Sequence, residues 1–308
     1  AWRSPRFERV LNPVLNIAQS LPHFAYMIPV VVFIGVGPKA GAIVTIIFSV
    51  PPMIRMTLLG LKKVVDFQDI AYGAEYLARV EAILAKDSPA KAHALTREAA
   101  KYIANAMCYD DVIRVADLKT RAGRFARIRS EMGVKDKHVL QLTEFMHPRA
   151  EEIAGMLPAK LGAKVAASPS WMARLDRWFN KGRRLRTDSL RAYVMLYVLG
   201  GMKSRRRGTL RHAQEMAHLD RWLATANGYL AQNYDLAVEV LKCRRLVKGY
   251  SDTHARGLSK FDKVLDGITL IATRDDAPDW ARRLREAALK DEEGKALDGA
   301  LATIRSFA

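Results

Sequence analysis

The chain has 308 residues, with 50 Lys and Arg against 32 Asp and Glu and a formal net charge of +18. Half of it is hydrophobic and it holds only 19 Gly and 12 Pro, which excludes a disordered or fibrous chain and leaves ample material for a core. Two cysteines, Cys108 and Cys243, exclude a disulfide scaffold, a four-cysteine zinc site and a self-contained iron–sulfur cluster. A reducing compartment is the default for such a chain.

Charge divides the sequence at Val64. Residues 1–64 carry seven basic residues and one acid, Glu8, whereas the remainder carries 43 basic and 31 acidic residues. Between Phe24 and Ile54 the only charge is Lys39. Two apolar runs lie there, FAYMIPVVVFIGVG (24–37) and AGAIVTIIFSVPPMI (40–54). A crossing helix needs roughly 20 apolar residues, and extending the runs back to Ile17 and on to Leu61 brings both to that length. The pattern predicts a two-helix membrane-type hairpin reaching the membrane through residues 17–61. Two buried helices of a soluble core fit worse, because Pro22, Pro29, Pro51 and Pro52 each remove a backbone donor. A secretory signal peptide also fits worse, with no small-residue cleavage site.

The stretches LNPVLNIAQSLPHFAYMIPVVVFIGVG and PPMIRMTLLGLKKV resemble the middle of the permease subunit of glycine betaine/proline/choline ABC importers. The resemblance covers about a fifth of the chain and implies a membrane transport component. It stops where that family continues into the Glu-Ala-Ala coupling loop that docks on the ATPase. A fragment lacking that loop is expected not to transport by itself.

From Asp66 onward the pattern becomes that of a mainly helical, soluble domain. DFQDIAYGAEYLARVEAILAKD places Phe67, Ile70, Ala74, Leu77 and Leu84 at helical spacing, with Asp66 as the expected N-cap. ALTREAAKYIANAM repeats the period with Leu95, Ala99, Ile103 and Met107. A short strand is possible within HVLQLTEF (138–145). SLRAYVMLYVLGGM (189–202) is apolar nearly all round, too short to cross a bilayer, and reads as a central core helix. RGTLRHAQEMAHLDRWLATAN presents Leu210, Ala213, Ala217 and Trp222 inward. NYDLAVEVLKCRRLVKGY buries Leu236, Val240, Cys243 and Val247 and stops at Gly249. APDWARRLREAALKDEE starts at Pro278 and turns Leu284 and Ala288 inward. The expected fold class is all-α, with at most one or two short strands, in two pieces, 1–64 and 65–308. If the junction at Val64–Val65 is a fusion accident, the pieces should share no buried interface.

VDFQDIAYGAEYLARV, YDDVIRVADLKTRAGRFARIR, TEFMHPRAEEIAGMLP and LAVEVLKCRRLVKGYSDTHARGLSKFDKVL resemble the helical C-terminal region of the indolepyruvate ferredoxin oxidoreductase beta-subunit family. So does KGRRLRTDSLRAYVMLYVLGGMKSRRRGTLRHAQEM, and together they span nearly all of 66–308. The resemblance implies a non-catalytic, subunit-packing module of a 2-oxoacid:ferredoxin oxidoreductase. Its partner would be a large thiamine-dependent subunit, with ferredoxin indirectly. Thiamine diphosphate and iron–sulfur clusters are expected only in that partner or in other domains, with no cofactor held by this chain alone. The large domain is expected in the cytoplasm, tethered to the inner membrane by the N-terminal segment.

Two polar constellations could contact an anion or a partner. Lys248, Tyr250, Asp252, Thr253, His254 and Arg256 crowd within nine residues just past a predicted helix end. There a new helix starting near Ser251 could offer free N–H groups, and Asp252 could orient His254. The alternative is a capped interhelical turn. Lys119, Arg121 and Arg124 lie in a basic stretch where Arg124 and Arg127 share a helical face and Arg121 sits one turn earlier. The alternative there is a solvated basic face. Catalytic residues are not identifiable and no metal site is expected, because HExxH, CxxC, GxSxG and P-loop patterns are missing. Asp110 and Asp111 read as the start of a helix, and Cys243 as an inert core thiol. The net charge raises non-specific nucleic-acid binding as a rival, but no zinc-finger, RNP-like or KH-type pattern supports it.

Overall fold

The computed structural model describes residues 5–20, 23–135 and 137–307, and these are 77% helical with one two-stranded ribbon. Pro22 and its expected role lie outside the described residues. The helices in chain order begin with α1 (Pro5–Ser20), α2 (His23–Ile34), α3 (Pro38–Phe67), α4 (Ile70–Leu84) and α5 (Ala94–Met107). Then come α6 (Val112–Thr120), α7 (Ala122–Glu131), strand β1 (Thr143–Met146), α8 (Ala150–Met156), α9 (Ala159–Ala166) and α10 (Pro169–Phe179). Strand β2 (Arg183–Arg186), α11 (Leu190–Gly201), α12 (Leu210–Leu230) and α13 (Tyr234–Lys242) follow. The chain ends with α14 (Ser251–Ile271), α15 (Ala277–Lys290) and α16 (Lys295–Arg305). It divides into two compact units. The first is Ala1–Cys108, Leu219–Val247 and Leu258–Ala308; the second is Tyr109–His218 and Lys248–Gly257. The all-helical class read from the sequence is the class observed.

In the first unit, among the described residues, only α3 of the two expected membrane-type helices reaches crossing length. It has 30 residues and an 18-residue stretch of mean hydropathy 1.8. The twelve residues of α2 rise only about 18 Å, short of a hydrocarbon core of about 30 Å. Pro38 starts α3 in the first turn, where its missing N–H costs nothing, and Pro51 and Pro52 sit inside it. Before Gly60 only Ala40 and Ser49 are buried among its described side chains. Arg55, the one charge in its middle, donates to Asn16 of α1.

Beyond Gly60 the same helix becomes a core element. Leu61, Val64 and Phe67 are buried. A Cβ at Gly60 would run into Tyr76 Oη and lie 2.9 Å from Ala104 Cβ; one at Gly73 would lie 2.5 Å from Val65 Cγ2. Close approach of α3 to α4 and α5 therefore requires glycine at both positions. Tyr76 donates to Ala100 O at 2.9 Å and Tyr72 to Met107 O at 3.1 Å, which satisfies both buried hydroxyls. A buried interface thus spans Val64, contrary to the expectation for two unrelated pieces.

The expected N-cap Asp66 lies inside α3, and Asp69 caps α4 instead, accepting from Tyr72 N at 2.8 Å. The buried face of α4 shifts accordingly to Tyr72, Tyr76, Val80 and Ile83, leaving Ile70 and Leu84 exposed. Leu95, Ala99, Ile103 and Met107 of α5 are all buried as their spacing predicts. So are Leu236, Val240, Cys243, Val247, Leu284 and Ala288. Trp222 is buried and donates to Val240 O at 2.9 Å, while Ala213 and Ala217, expected inward, are exposed. Arg285 pairs with Glu239 at 2.8 Å in the same core, and burial pushes the neighbouring Cys243 thiol up to about 12.

In the second unit β1 pairs antiparallel with β2, with Phe145 opposite Arg184. The sequence showed the first strand's region but not its partner. α11 departs most from expectation. It packs on α6, where Gly200 lies against the Asp117 backbone and Tyr193 Oη donates to Thr120 O at 3.2 Å. Only Ala192 and Leu196 are buried, while Leu190, Val194, Met195, Tyr197 and Val198 are exposed. An apolar circumference marked a helix needing cover on several sides, and this chain supplies it on one.

Candidate functional site

Every residue singled out in the two constellations falls in the second unit. Arg121 is extended and separates α6 from α7, so it does not share a helix with Arg124 as the spacing suggested. Its guanidinium grips Asp117 with two bonds, at 3.2 and 2.6 Å. Lys119 and Arg124 converge on Glu144 of β1. Burial alone would raise the Glu144 carboxyl, but the bond and charge of Lys119, joined by Arg124, outweigh it and hold the group below its usual range. The three cations are thus held by acids of their own chain. Arg127 reaches only Glu131, at 3.5 Å.

At the second constellation Gly249 and Ser251 take positive φ values of 72° and 54°, and α14 starts at Ser251. Asp252 turns to Arg149, Oδ2 accepting from Nη2 at 2.6 Å. His254 Nε2 lies 2.9 Å from Glu215 Oε1, the oxygen that also pairs with Arg211 Nη2 at 2.8 Å. Asp252 therefore does not orient His254. Lys248, Thr253 and Arg256 are exposed. Tyr250 is also exposed and, with Lys119, His147 and Glu152, lines a small pocket.

A larger cavity, of about 310 Å³, opens where the starts of α6, α8 and α12 meet. Asp110, Glu152, Arg211 and Gln214 give it a polar wall, and Val112, Met156 and Met172 an apolar one. All three helix starts are capped from within. Asp111 Oδ1 accepts from Arg114 N at 2.6 Å, Glu152 Oε2 from Arg149 N at 3.1 Å, and Thr209 Oγ1 from His212 N at 3.3 Å. Asp111 and Asp110 thus open a helix, as the sequence suggested. Asp111 Oδ2 also accepts from Arg206 Nε at 2.9 Å, with Arg206 wholly enclosed. Burial raises the Glu152 carboxyl, opposed by the Arg149 N–H bond and the Arg211 and Arg149 charges. A carboxyl held up in this way can carry a proton where a surface glutamate would have lost it. Sequence reasoning missed Arg206, whose partner Asp111 lies 95 positions away and leaves no local pattern. It also passed over Glu152, which bonds Arg149 three residues back, and the Arg211–Glu215 pair at i, i+4, both of which local spacing could have shown. Among the described residues no group of three or more His, Cys, Asp or Glu is placed to hold a metal ion.

Residues 55–267, more than half of the sequence, match a family of unknown function, DUF6537. The chain belongs to the DUF6537 family. The match begins inside α3, ahead of the compositional change at Val64, and runs into α14. The N-terminal region of this DUF6537 chain is similar to osmolyte permeases. It is 56% identical over 64 residues to the trimethylamine N-oxide transport system permease protein TmoV of Ruegeria pomeroyi, covering 21% of this chain and 10% of the relative. It is 45% identical over 62 residues to the glycine betaine/proline betaine transport system permease protein ProW of Escherichia coli, covering 20% of this chain and 18% of the relative. It is 38% identical over 65 residues to the glycine betaine transport system permease protein OpuAB of Bacillus subtilis, covering 20% and 23% respectively. The chain therefore spans between 10% and 23% of the length of these curated relatives. The likeness of residues 66–308 to indolepyruvate oxidoreductase beta subunits has no counterpart in these matches. No solved structure matches the chain.

Proposed function

We propose that the chain is a membrane component related to osmolyte importers, with α3 as the helix that crosses the bilayer. One observation carries the reading: the permease-like stretch contains the one helix among the described residues that is both long and apolar enough to cross a membrane, and little of it is buried in the protein. Val10, Val14 and Ile17 of α1 and Val32 and Phe33 of α2 are exposed beside it, a surface suited to lipid rather than water. The Asn16 amide oxygen gives the Arg55 guanidinium a hydrogen-bond partner inside the segment. Lys62 and Lys63 follow the apolar stretch, and in this reading the helical body lies on the cytoplasmic side. In this reading the segment joins an importer for solutes of the glycine betaine and trimethylamine N-oxide kind. Affinity capture from membranes that also hold a complete osmolyte permease should recover that permease with the chain. Recovery of the chain alone would remove the import role.

A second reading is favoured by α11. Leu190, Val194, Tyr197 and Val198 are exposed on a helix that is apolar nearly all round, the state of a subunit surface without its partner. Residues 66–308 would then serve as a non-catalytic packing module of an indolepyruvate-type 2-oxoacid:ferredoxin oxidoreductase. Thiamine diphosphate and iron–sulfur clusters would reside in the large partner subunit. Co-purification with a thiamine-dependent subunit, lost in Val194→Glu/Val198→Glu, is the expected result. Retention of that subunit by the double variant would exclude this use of α11.

A further inference from the structure

Residues 159–208 hold thirteen Lys and Arg against two Asp, which is 11 of the chain's net 18 positive charges. The same stretch carries two exposed tryptophans. α10 (PSWMARLDRWF) has no buried residue at all, and Trp171 and Trp178 are 46% and 59% exposed. Seven residues apart, they lie on one side of the helix with Arg174 between them, its guanidinium 5.0 Å from the Trp171 ring. The turn after α10 leads directly into β2. There Arg183 donates to Trp178 O at 3.3 Å, and Arg184 lies 5.5 Å from the ring of Phe145, which is 72% exposed. Among the described residues none of Arg174, Arg177, Lys181, Arg183 and Arg184 has an acidic partner.

We propose that the α10–β2 surface of the second unit docks on an anionic phospholipid bilayer. The proposal rests on the membrane reading above and adds a second, peripheral contact to the crossing helix. The chemistry is that of the headgroup layer. Exposed tryptophans present an apolar body with a polar N–H, and cations without acids of their own complement lipid phosphates. An acidic protein would satisfy the charge, but α10 half-buries Met172, Leu175 and Phe179 and turns both tryptophans outward among Arg174 and Arg177, the amphipathic arrangement of a helix that lies in a headgroup layer. A single-stranded nucleic acid would use both features, and the test below separates it.

The full chain is reconstituted into vesicles of phosphatidylcholine with or without phosphatidylglycerol, and amide hydrogen exchange is followed across residues 169–186. Anionic vesicles should slow exchange there by about tenfold over neutral ones, and high salt should abolish the difference. Arg174→Glu/Lys181→Glu/Arg183→Glu should lose the protection while the chain still floats with vesicles and keeps its helical circular dichroism. Equal exchange on both vesicle types, or protection conferred by single-stranded RNA and not by vesicles, would overturn the proposal. Failure to float with neutral vesicles would count against α3 as a crossing helix, and protection on anionic vesicles would still decide the docking claim separately.

Discussion

Arg206 donates through Nε to Asp111 Oδ2 at 2.9 Å with no part of its residue exposed, while Asp111 Oδ1 caps α6. One carboxylate thus neutralises a buried guanidinium and satisfies a helix end. Asp111→Ala should cost about 3–5 kcal/mol, the scale for breaking a buried ion pair by removing one partner. Asp111→Asn retains a good cap and should cost less. Urea unfolding measures both. A loss of about 1 kcal/mol for Asp111→Ala, the value of a cap alone, would contradict the pairing.

Gly60 is where α3 becomes a core helix. Gly60→Ala forces its Cβ against Tyr76 and Ala104 and should destabilise the first unit by about 1–3 kcal/mol, as overpacking does. Gly41→Ala, with nothing within 4 Å of the new Cβ, should be neutral or slightly stabilising. Thermal unfolding in detergent compares the two. Equal midpoints would mean that α3 does not pack closely on α4 and α5.

Two glutamates of the second unit should shift stability in opposite directions with pH. The folded-state value of Glu144 is lowered, so its contribution is present above the ordinary carboxylate value of about 4.3 and lost as pH falls below it. The folded-state value of Glu152 is raised, so its contribution is present below that ordinary value and lost as pH rises through the higher folded one. At neutral pH Glu144→Gln should therefore destabilise and Glu152→Gln should be neutral or stabilising. Chemical denaturation of both variants across the acidic range checks the signs.

How far the sequence exposed this fold can be read from particular helices. α5 and α13 were legible because apolar residues at helical spacing face a core built by the same unit. For α4 both Asp66 and Asp69 stand ahead of apolar residues, so local pattern could not choose the cap; the continuation of α3 to Phe67 did. For α11 composition specified a helix but not what covers it. The candidate site was least legible. Lys119 and Arg124 were visible as a basic stretch, but their use depends on Glu144, which the β1–β2 ribbon brings within reach. Asp252 and His254 drew notice as neighbours, yet they choose separate partners in Arg149 and Glu215.

The two thiols should behave differently. Cys243 is fully buried with its thiol pushed up to about 12, whereas Cys108 is half-buried. Thiolate is the reactive form, so a water-soluble disulfide reagent should modify Cys108 alone in the folded chain and both residues after denaturation. Prompt native labelling of Cys243, located by peptide mass mapping, would contradict its burial.

Membrane attachment through α3 is tested most directly by alkaline extraction and flotation of the full chain. The chain should stay with the membrane at high pH and float with the lipid, and Ile46→Lys, a charge set in the apolar half of α3, should release most of it. Complete recovery of the unmodified chain in the alkaline supernatant would contradict the account.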